Sequence, residues 1–214
     1  MSGAPDRERV LGVVLAGGAN RRYEGRPKAL EFVGGNRIAD RVVSAMRQTV
    51  NRVVLVANDA DTFAVLGLET RPDERPGMGA LGGIHTAVLW AHDEGYRGAL
   101  VTACDMPFLS PALLKTLIFD VGGHEVVAPA SASRRGLEPL CAYYGTDCLK
   151  PIERALDRGE RRVISFYSEV TVRTIPASQV EAFGDPALLF LNVNSPADRE
   201  RAEAAARENG VVTS

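Results

Sequence analysis

The sequence predicts a three-layer α/β sandwich built around a mainly parallel sheet, and three observations carry that prediction. Short, nearly continuous apolar runs recur along the first half, as strands buried on both faces require. Stretches with helical spacing lie between these runs, and strand alternating with helix calls for parallel pairing through right-handed crossovers. A loop of glycines and cations follows the first run, at the carboxyl end of a strand, where such sheets bind ligands.

Residues 10–16, VLGVVLA, are the first buried run and stop at Gly17-Gly18. Residues 37–48 put Ile38, Val42, Ala45 and Met46 on one helical side. RVVLVA at 52–57 and GALVTA at 98–103 are the next two buried strands, with a helix over 84–92 between them. A helix over 111–119 opens with Ser110 as its cap and Pro111 in its first turn. Beyond it the pattern loosens into strands at 125–130 and 138–144, a helix from about 147 to 156 and a short apolar segment at 163–167. The alternation at 170–175 fits a half-buried strand, 188–193 reads as a late strand, and 196–208 is a closing helix. No internal repeat, low-complexity tract or long linker interrupts the chain, so residues 1–214 are expected to form a single domain.

The 25 Lys and Arg nearly balance the 27 Asp and Glu, for a formal net charge of −2. No strong field favours nucleic acid or an anionic membrane, and a small molecule is the expected partner. The opening MSGAPDRERV lacks a cationic segment followed by a long apolar run, and nothing later approaches the roughly 20 apolar residues that span a bilayer. A cytoplasmic protein is expected. Cys104, Cys141 and Cys148 are too scattered for a paired metal knuckle and read as ordinary thiols, while His85, His92 and His124 show no metal-ligand spacing.

Leu15-Ala16-Gly17-Gly18 begins the glycine-rich loop, which continues through Arg22 to Lys28. Glycines let the backbone approach phosphate oxygens, and Arg22 and Lys28 can neutralise charge that amide dipoles alone cannot. The spacing fits neither GxxxxGK[ST] nor GxGxxG, which disfavours a P-loop ATPase and a dinucleotide dehydrogenase. Asp105 follows the third strand and precedes Pro107, so its carboxylate is presented at the sheet edge. Mg²⁺ takes one or two carboxylates plus phosphate oxygens and waters, so one such Asp facing a polyphosphate suffices, although a turn-capping role remains open. Asn58, just beyond the second strand, and Asp73, in the turn-rich stretch 71–77, read on their own as turn residues. The run from Gly79 through Gly83 suggests a tight loop entering a helix, where amides could approach a base or ribose, or simple packing of helix on sheet. Arg161, Arg162, Asn192 and Asn194 offer cations and amide donors but fit a solvated face and a turn as well. Glu138 is left without a role, and Trp90, Tyr143 and Tyr144 read as core or rim.

LAGGxxRRxxGxxK, followed by GALGGI, CDMP, EPLCA, GERRV and NVNSP in that order, resembles the motifs of the molybdenum cofactor guanylyltransferases (MobA) across residues 10 to 205. The opening loop is shared by a wider superfamily, while GERRV and NVNSP point to the pterin-handling branch. The resemblance implies the nucleotide-diphospho-sugar transferase type of fold with a Rossmann-like sheet, residues 8–120 binding GTP and Mg²⁺ and residues 121–208 binding the pterin. It implies that GMP passes from GTP to the phosphate of molybdopterin, or of the molybdenum cofactor, with release of pyrophosphate. Catalysis would rest on Lys28, Arg22 and Asp105, with Mg²⁺ as cofactor on Asp105. Leu15, Ala16, Gly17, Gly18, Asn58, Asp73, Gly79 and Gly83 would contact the nucleotide, and Arg162, Asn192 and Asn194 the pterin. Implied partners extend to cofactor-synthesis proteins and recipient molybdoenzymes. Tyr23, Glu24 and Pro27 depart from the Met, Gly and Asp usual in the family, so Glu24 sets an acid beside the triphosphate and Pro27 removes a carboxylate and an amide donor. GTP rather than CTP rests on the resemblance, which leaves two other readings open: a cytidylyl- or sugar-phosphate nucleotidyltransferase of this fold, and a non-catalytic GTP or cofactor carrier.

Overall fold

The computed structural model describes residues 9–16, 27–119, 121–133 and 136–208. In chain order the strands are β1 (Val10–Leu15), β2 (Phe32–Val33), β3 (Asn36–Arg37), β4 (Val53–Val56), β5 (Thr70–Arg71), β6 (Gly98–Ala103), β7 (Val126–Pro129), β8 (Cys141–Gly145) and β9 (Val172–Ile175). The helices are α1 (Ile38–Arg47), α2 (Ala60–Phe63), α3 (Gly79–Asp93), α4 (Pro111–Phe119), α5 (Leu149–Asp157), α6 (Ala177–Val180), α7 (Pro186–Leu189) and α8 (Pro196–Glu208). Within the described residues the main sheet has the order β5-β4-β1-β6-β8-β7-β9. Pairing is parallel except at β8, which runs antiparallel to both its neighbours. The mainly parallel three-layer sandwich expected from the sequence is the observed architecture.

Both faces of the sheet are covered, which explains the unbroken apolar runs. Val10 and Val14 of β1 face α1 and α4, whereas Leu11, Val13 and Leu15 face α3 and α5. Gly12 is required between them, because a Cβ there would lie 2.6 Å from Val50 Cγ2 and 3.1 Å from Met46 Cε. A third cluster joins Val33, Ile38, Leu191, Val193, Ala202 and Ala206, fastening α8 beside the β2–β3 hairpin. Ser110 caps α4 as expected, with Leu113 N donating to its hydroxyl at 3.4 Å.

Three expectations change. The segment read as a late strand at 188–193 is instead the short helix α7 followed by an irregular stretch. Asp185 accepts from Ala187 N at 2.9 Å and Pro186 fixes a helical φ at the first position, so the apolar residues are buried by a helical turn rather than by sheet pairing. The GALGGI run is the opening of α3 itself, so the helix starts five residues before the predicted 84. Residues 138–140 turn into β8 rather than extending it, and Cys141 N donates to Glu138 O at 3.3 Å across that turn.

Candidate active site

Three parallel strands end level. Leu15 lies opposite Val56 on one side and Ala103 on the other, and Ala16 N to Val56 O at 2.9 Å and Cys104 N to Leu15 O at 3.0 Å continue the ladders by one residue. A cleft of about 530 Å³ opens above these carboxyl ends, floored in part by Leu15, Ala57 and Ala103. Asn58, Asp73, Gly79, Gly83 and Asp105 reach it from the first half of the chain, and Asn192 and Asn194 from the second.

Asp105 occupies the turn that ends β6, and its backbone carbonyl accepts from Val193 N at 3.0 Å. Its Oδ1 is buried and has no hydrogen-bond partner among the described residues. Burial pushes its carboxyl above the usual carboxylate range, partly opposed by its own backbone N–H and by the Lys28 ammonium. A desolvated carboxylate oxygen without a donor, beside a wet cleft, suits a hard cation. Lys28 opens a 3-10 turn, Lys28–Leu30, directly after extended Pro27, and its Nζ donates to the carbonyl oxygen of Asn194. Lys28 and Asn194, expected from the sequence on the phosphate and the pterin side respectively, are therefore in contact.

On the opposite wall, Asn58 Oδ1 accepts from Asp73 N at 2.9 Å and Asp73 Oδ1 from Arg75 N at 3.0 Å. These bonds satisfy the turn-residue reading and also fix both side chains at the cleft. Burial raises the Asp73 carboxyl above its usual range. Gly77 and Gly79 adopt φ of 81° and 66°, a left-handed backbone that swings the chain into α3. No side chain caps α3 at Met78, so its first N–H groups are open to a ligand at the cleft wall. Gly83 packs on Leu15, with a built Cβ 3.4 Å from both its methyls, so this position combines helix-on-sheet packing with the cleft wall.

Asn192 donates to Phe190 O at 3.4 Å. Asn194 N and Ser195 N both donate to Asp198 Oδ2, at 3.1 and 2.9 Å, and Ser195 Oγ adds a third bond at 2.8 Å. Asp198 was not singled out by sequence, although S-x-x-D before a helix is a capping-box signature. Arg161 and Arg162 are exposed, make no ion pair among the described residues and do not line the cleft, while the Arg161 carbonyl sits 4.0 Å from a Cβ built on Gly79 at its rim. Ala16 is buried beside the cleft rather than lining it. Gly17, Gly18 and Arg22 lie outside the described residues. Glu138 Oε1 accepts from Leu140 N at 3.2 Å, which holds the turn whose Leu140 lines the cleft. All three cysteines are buried free thiols, with the Cys148 thiol pushed up to about 12 by burial, which makes them poor nucleophiles. No helix among the described residues is long and apolar enough to cross a membrane.

The MobA-like NTP transferase domain family matches residues 12–172 of the chain. A molybdenum cofactor guanylyltransferase of Desulfosudis oleivorans is 36% identical over 197 residues, covering 92% of this chain and 95% of the relative. A probable molybdenum cofactor guanylyltransferase of Pelotomaculum thermopropionicum is 34% identical, with 94% and 95% covered. Among solved structures, molybdopterin-guanine dinucleotide biosynthesis protein A of Archaeoglobus fulgidus superposes with a TM-score of 0.75 at 27% identity, covering 93% of this chain and all of that one. A Thermus thermophilus cytidylyltransferase acting on 2-C-methyl-D-erythritol 4-phosphate, at 16% identity and TM-score 0.64 over 91% of this chain and 98% of that one, shares the fold alone. The chain thus belongs to the MobA-like NTP transferase family, and its kinship lies with the molybdenum cofactor guanylyltransferases.

Proposed function

We propose that this chain transfers GMP from GTP to the terminal phosphate of molybdopterin or the molybdenum cofactor, forming the guanine dinucleotide and releasing pyrophosphate. The observation that carries the reading is the desolvated carboxylate oxygen of Asp105, without a hydrogen-bond partner among the described residues and set beside Lys28 in a cleft reached from both halves of the chain. Residues 8–120 take the nucleotide and residues 121–208 the pterin in this reading. Similarity to two named guanylyltransferases over more than nine-tenths of the chain supports the choice of substrates.

A pterin phosphate oxygen attacks the α-phosphorus in line. The new O–P bond forms as the bond from the α-phosphorus to the bridging oxygen breaks, and the electron pair leaves with pyrophosphate. No side-chain nucleophile is needed, so the protein positions the phosphates and neutralises charge. Asp105 would hold a divalent cation, with Mg²⁺ the proposed ion, and such an ion screens phosphate charge and orients the triphosphate when bound. Lys28 offers a mobile ammonium to the phosphates once it leaves the Asn194 carbonyl. Gly17, Gly18 and Arg22 complete the phosphate cradle on sequence grounds. Asn58, Asp73 and the open N-terminus of α3 hold the nucleoside side. Asn192 and Asn194 supply amides to the pterin, and exposed Arg162, outside the cleft lining, is the cation that the sequence assigns to that half.

The test is pyrophosphate release with Mg²⁺ and purified molybdenum-loaded pterin cofactor, comparing GTP, CTP and ATP. Release with GTP and not with the others is expected. Preference for CTP would reassign the chain to cytidylyl transfer, and tight GTP binding without release would make it a carrier.

A further inference from the structure

The side chain of Thr86 takes part in no reaction step, yet it is 2% exposed and sits under the nucleoside wall of the cleft. Its Oγ1 accepts from Glu74 N at 2.9 Å. The one hydroxyl proton serves Gly82 O at 3.1 Å or Asp73 Oδ1 at 3.3 Å. Thr86 therefore clamps the 73–75 turn onto the second turn of α3. The fit leaves no slack: a Cβ on Gly82 would lie 2.8 Å from Arg75 O and 3.0 Å from Asp73 Oδ2.

The two oxygens of Asp73 are used differently. Oδ1 accepts from Arg75 N and lies within 3.3 Å of the Thr86 hydroxyl, while Oδ2, on a carboxylate that lines the cleft, makes no hydrogen bond among the described residues. A carboxylate with one oxygen anchored and one available accepts from N–H or O–H donors of a ligand in a fixed direction, as a guanine edge or a ribose presents. Thr86 also helps keep this half-buried carboxyl ionised, against the burial that raises it.

We infer that Thr86 is a positioning residue for nucleotide recognition, which orients the Asp73 carboxylate toward the nucleoside of the bound triphosphate. This inference rests on the nucleotide reading proposed above. It predicts a selective effect: nucleotide affinity depends on Thr86, while the reacting phosphates, handled by Lys28 and Asp105, do not.

The experiment compares full-length wild type, Thr86→Val and Thr86→Ser by equilibrium titration with GTP and by steady-state kinetics. Valine keeps the shape and removes both hydrogen bonds, and serine keeps the hydroxyl. Loss of one hydrogen bond to a charged group predicts that Thr86→Val raises Kd and KM for GTP about tenfold. The expected kcat stays within about twofold, the KM for the pterin is unchanged, and Thr86→Ser recovers most of the GTP affinity. Unchanged GTP affinity in Thr86→Val would overturn the inference, as would a loss shared equally by GTP and pterin and not recovered by serine, which marks a packing role. Wild type that binds GTP without turnover defeats the transferase reading alone, because the ratio of Kd values still decides the role of Thr86. Wild type that does not bind GTP overturns both.

Discussion

Replacing Asp105 with asparagine should move activity and stability in opposite directions. Asparagine preserves the shape at the end of β6 and the carbonyl that accepts from Val193 N, but removes the negative charge. The buried Oδ1 has no donor among the described residues, and burial raises the carboxyl, so the folded protein pays for holding an ionised group there. A partnerless buried polar atom costs about 1–3 kcal/mol, and more when charged. Asparagine keeps an unpaired polar atom and loses only the charge, so the expected gain is about 1 kcal/mol, within the range common for relieving a functional site. For a chain of this length that raises Tm by about 2–4 °C. Turnover should fall by about 10³-fold or more, since several kcal/mol of charge stabilisation are lost with the cation's anchor. Scanning calorimetry in the presence of chelator reads the first effect, and pyrophosphate release at saturating Mg²⁺ reads the second. An asparagine variant that is less stable than wild type would refute the account of the carboxylate as desolvated and unpaired, and retained turnover would refute its role as cation anchor.

Lys28→Met keeps the aliphatic stem and should lower turnover by about 10²–10³-fold, the loss typical of one preorganised charge partner, with a loss below about tenfold in steady-state kinetics counting against a phosphate role. Gly82→Ala gains about 1 kcal/mol of helix propensity and loses about 1–3 kcal/mol to crowding against Arg75 O and the Asp73 carboxylate, so a net fall in Tm and a raised KM for GTP are expected in thermal unfolding and kinetics. Asp198→Asn should destabilise by about 0.5–1 kcal/mol at neutral pH, a capping effect discounted for exposure. Bonds from Ser195 hold the Asp198 carboxyl below its usual 3.8, so its contribution is fully present above that pH and disappears as pH falls through the lower folded value. The Tm gap between wild type and Asp198→Asn should accordingly persist down to about pH 4 and close below it; a gap that widens on acidification would contradict the assignment.

The buried core of the fold was legible because it is written in composition. VLGVVLA, RVVLVA and GALVTA have apolar residues facing both ways, and only a strand covered on both faces uses them. The same criterion failed at 188–193, where the apolar residues are buried under a helical turn and against α8, and the decisive signal was the Asp185-Pro186 start rather than hydrophobicity. The β2–β3 hairpin went unread because its strands are two residues long, although Gly34-Gly35, at φ 55° and 80°, is a turn signature. In the site, the position of Asp105 followed from the end of a strand and a nearby proline, which are local facts. The absence of a donor for its Oδ1 and the clamp of Thr86 on Asp73 depend on how α3 lies against the 73–75 turn, and no sequence spacing encodes that.

Residues 193–195 connect everything the proposed reaction needs. Val193 N bonds the carbonyl of Asp105, the Lys28 ammonium bonds the carbonyl of Asn194, and Asp198 collects the N–H groups of Asn194 and Ser195. One short irregular segment thus touches the proposed cation anchor, the proposed phosphate lysine and the cap of α8. A regular strand there would spend these backbone groups on a neighbouring strand, leaving none for Lys28 or Asp105. The departure from sheet pairing leaves these backbone groups free to reach Lys28 and Asp105. In the proposed reaction Lys28 would exchange the Asn194 carbonyl for a phosphate oxygen and so free that carbonyl on the proposed pterin side.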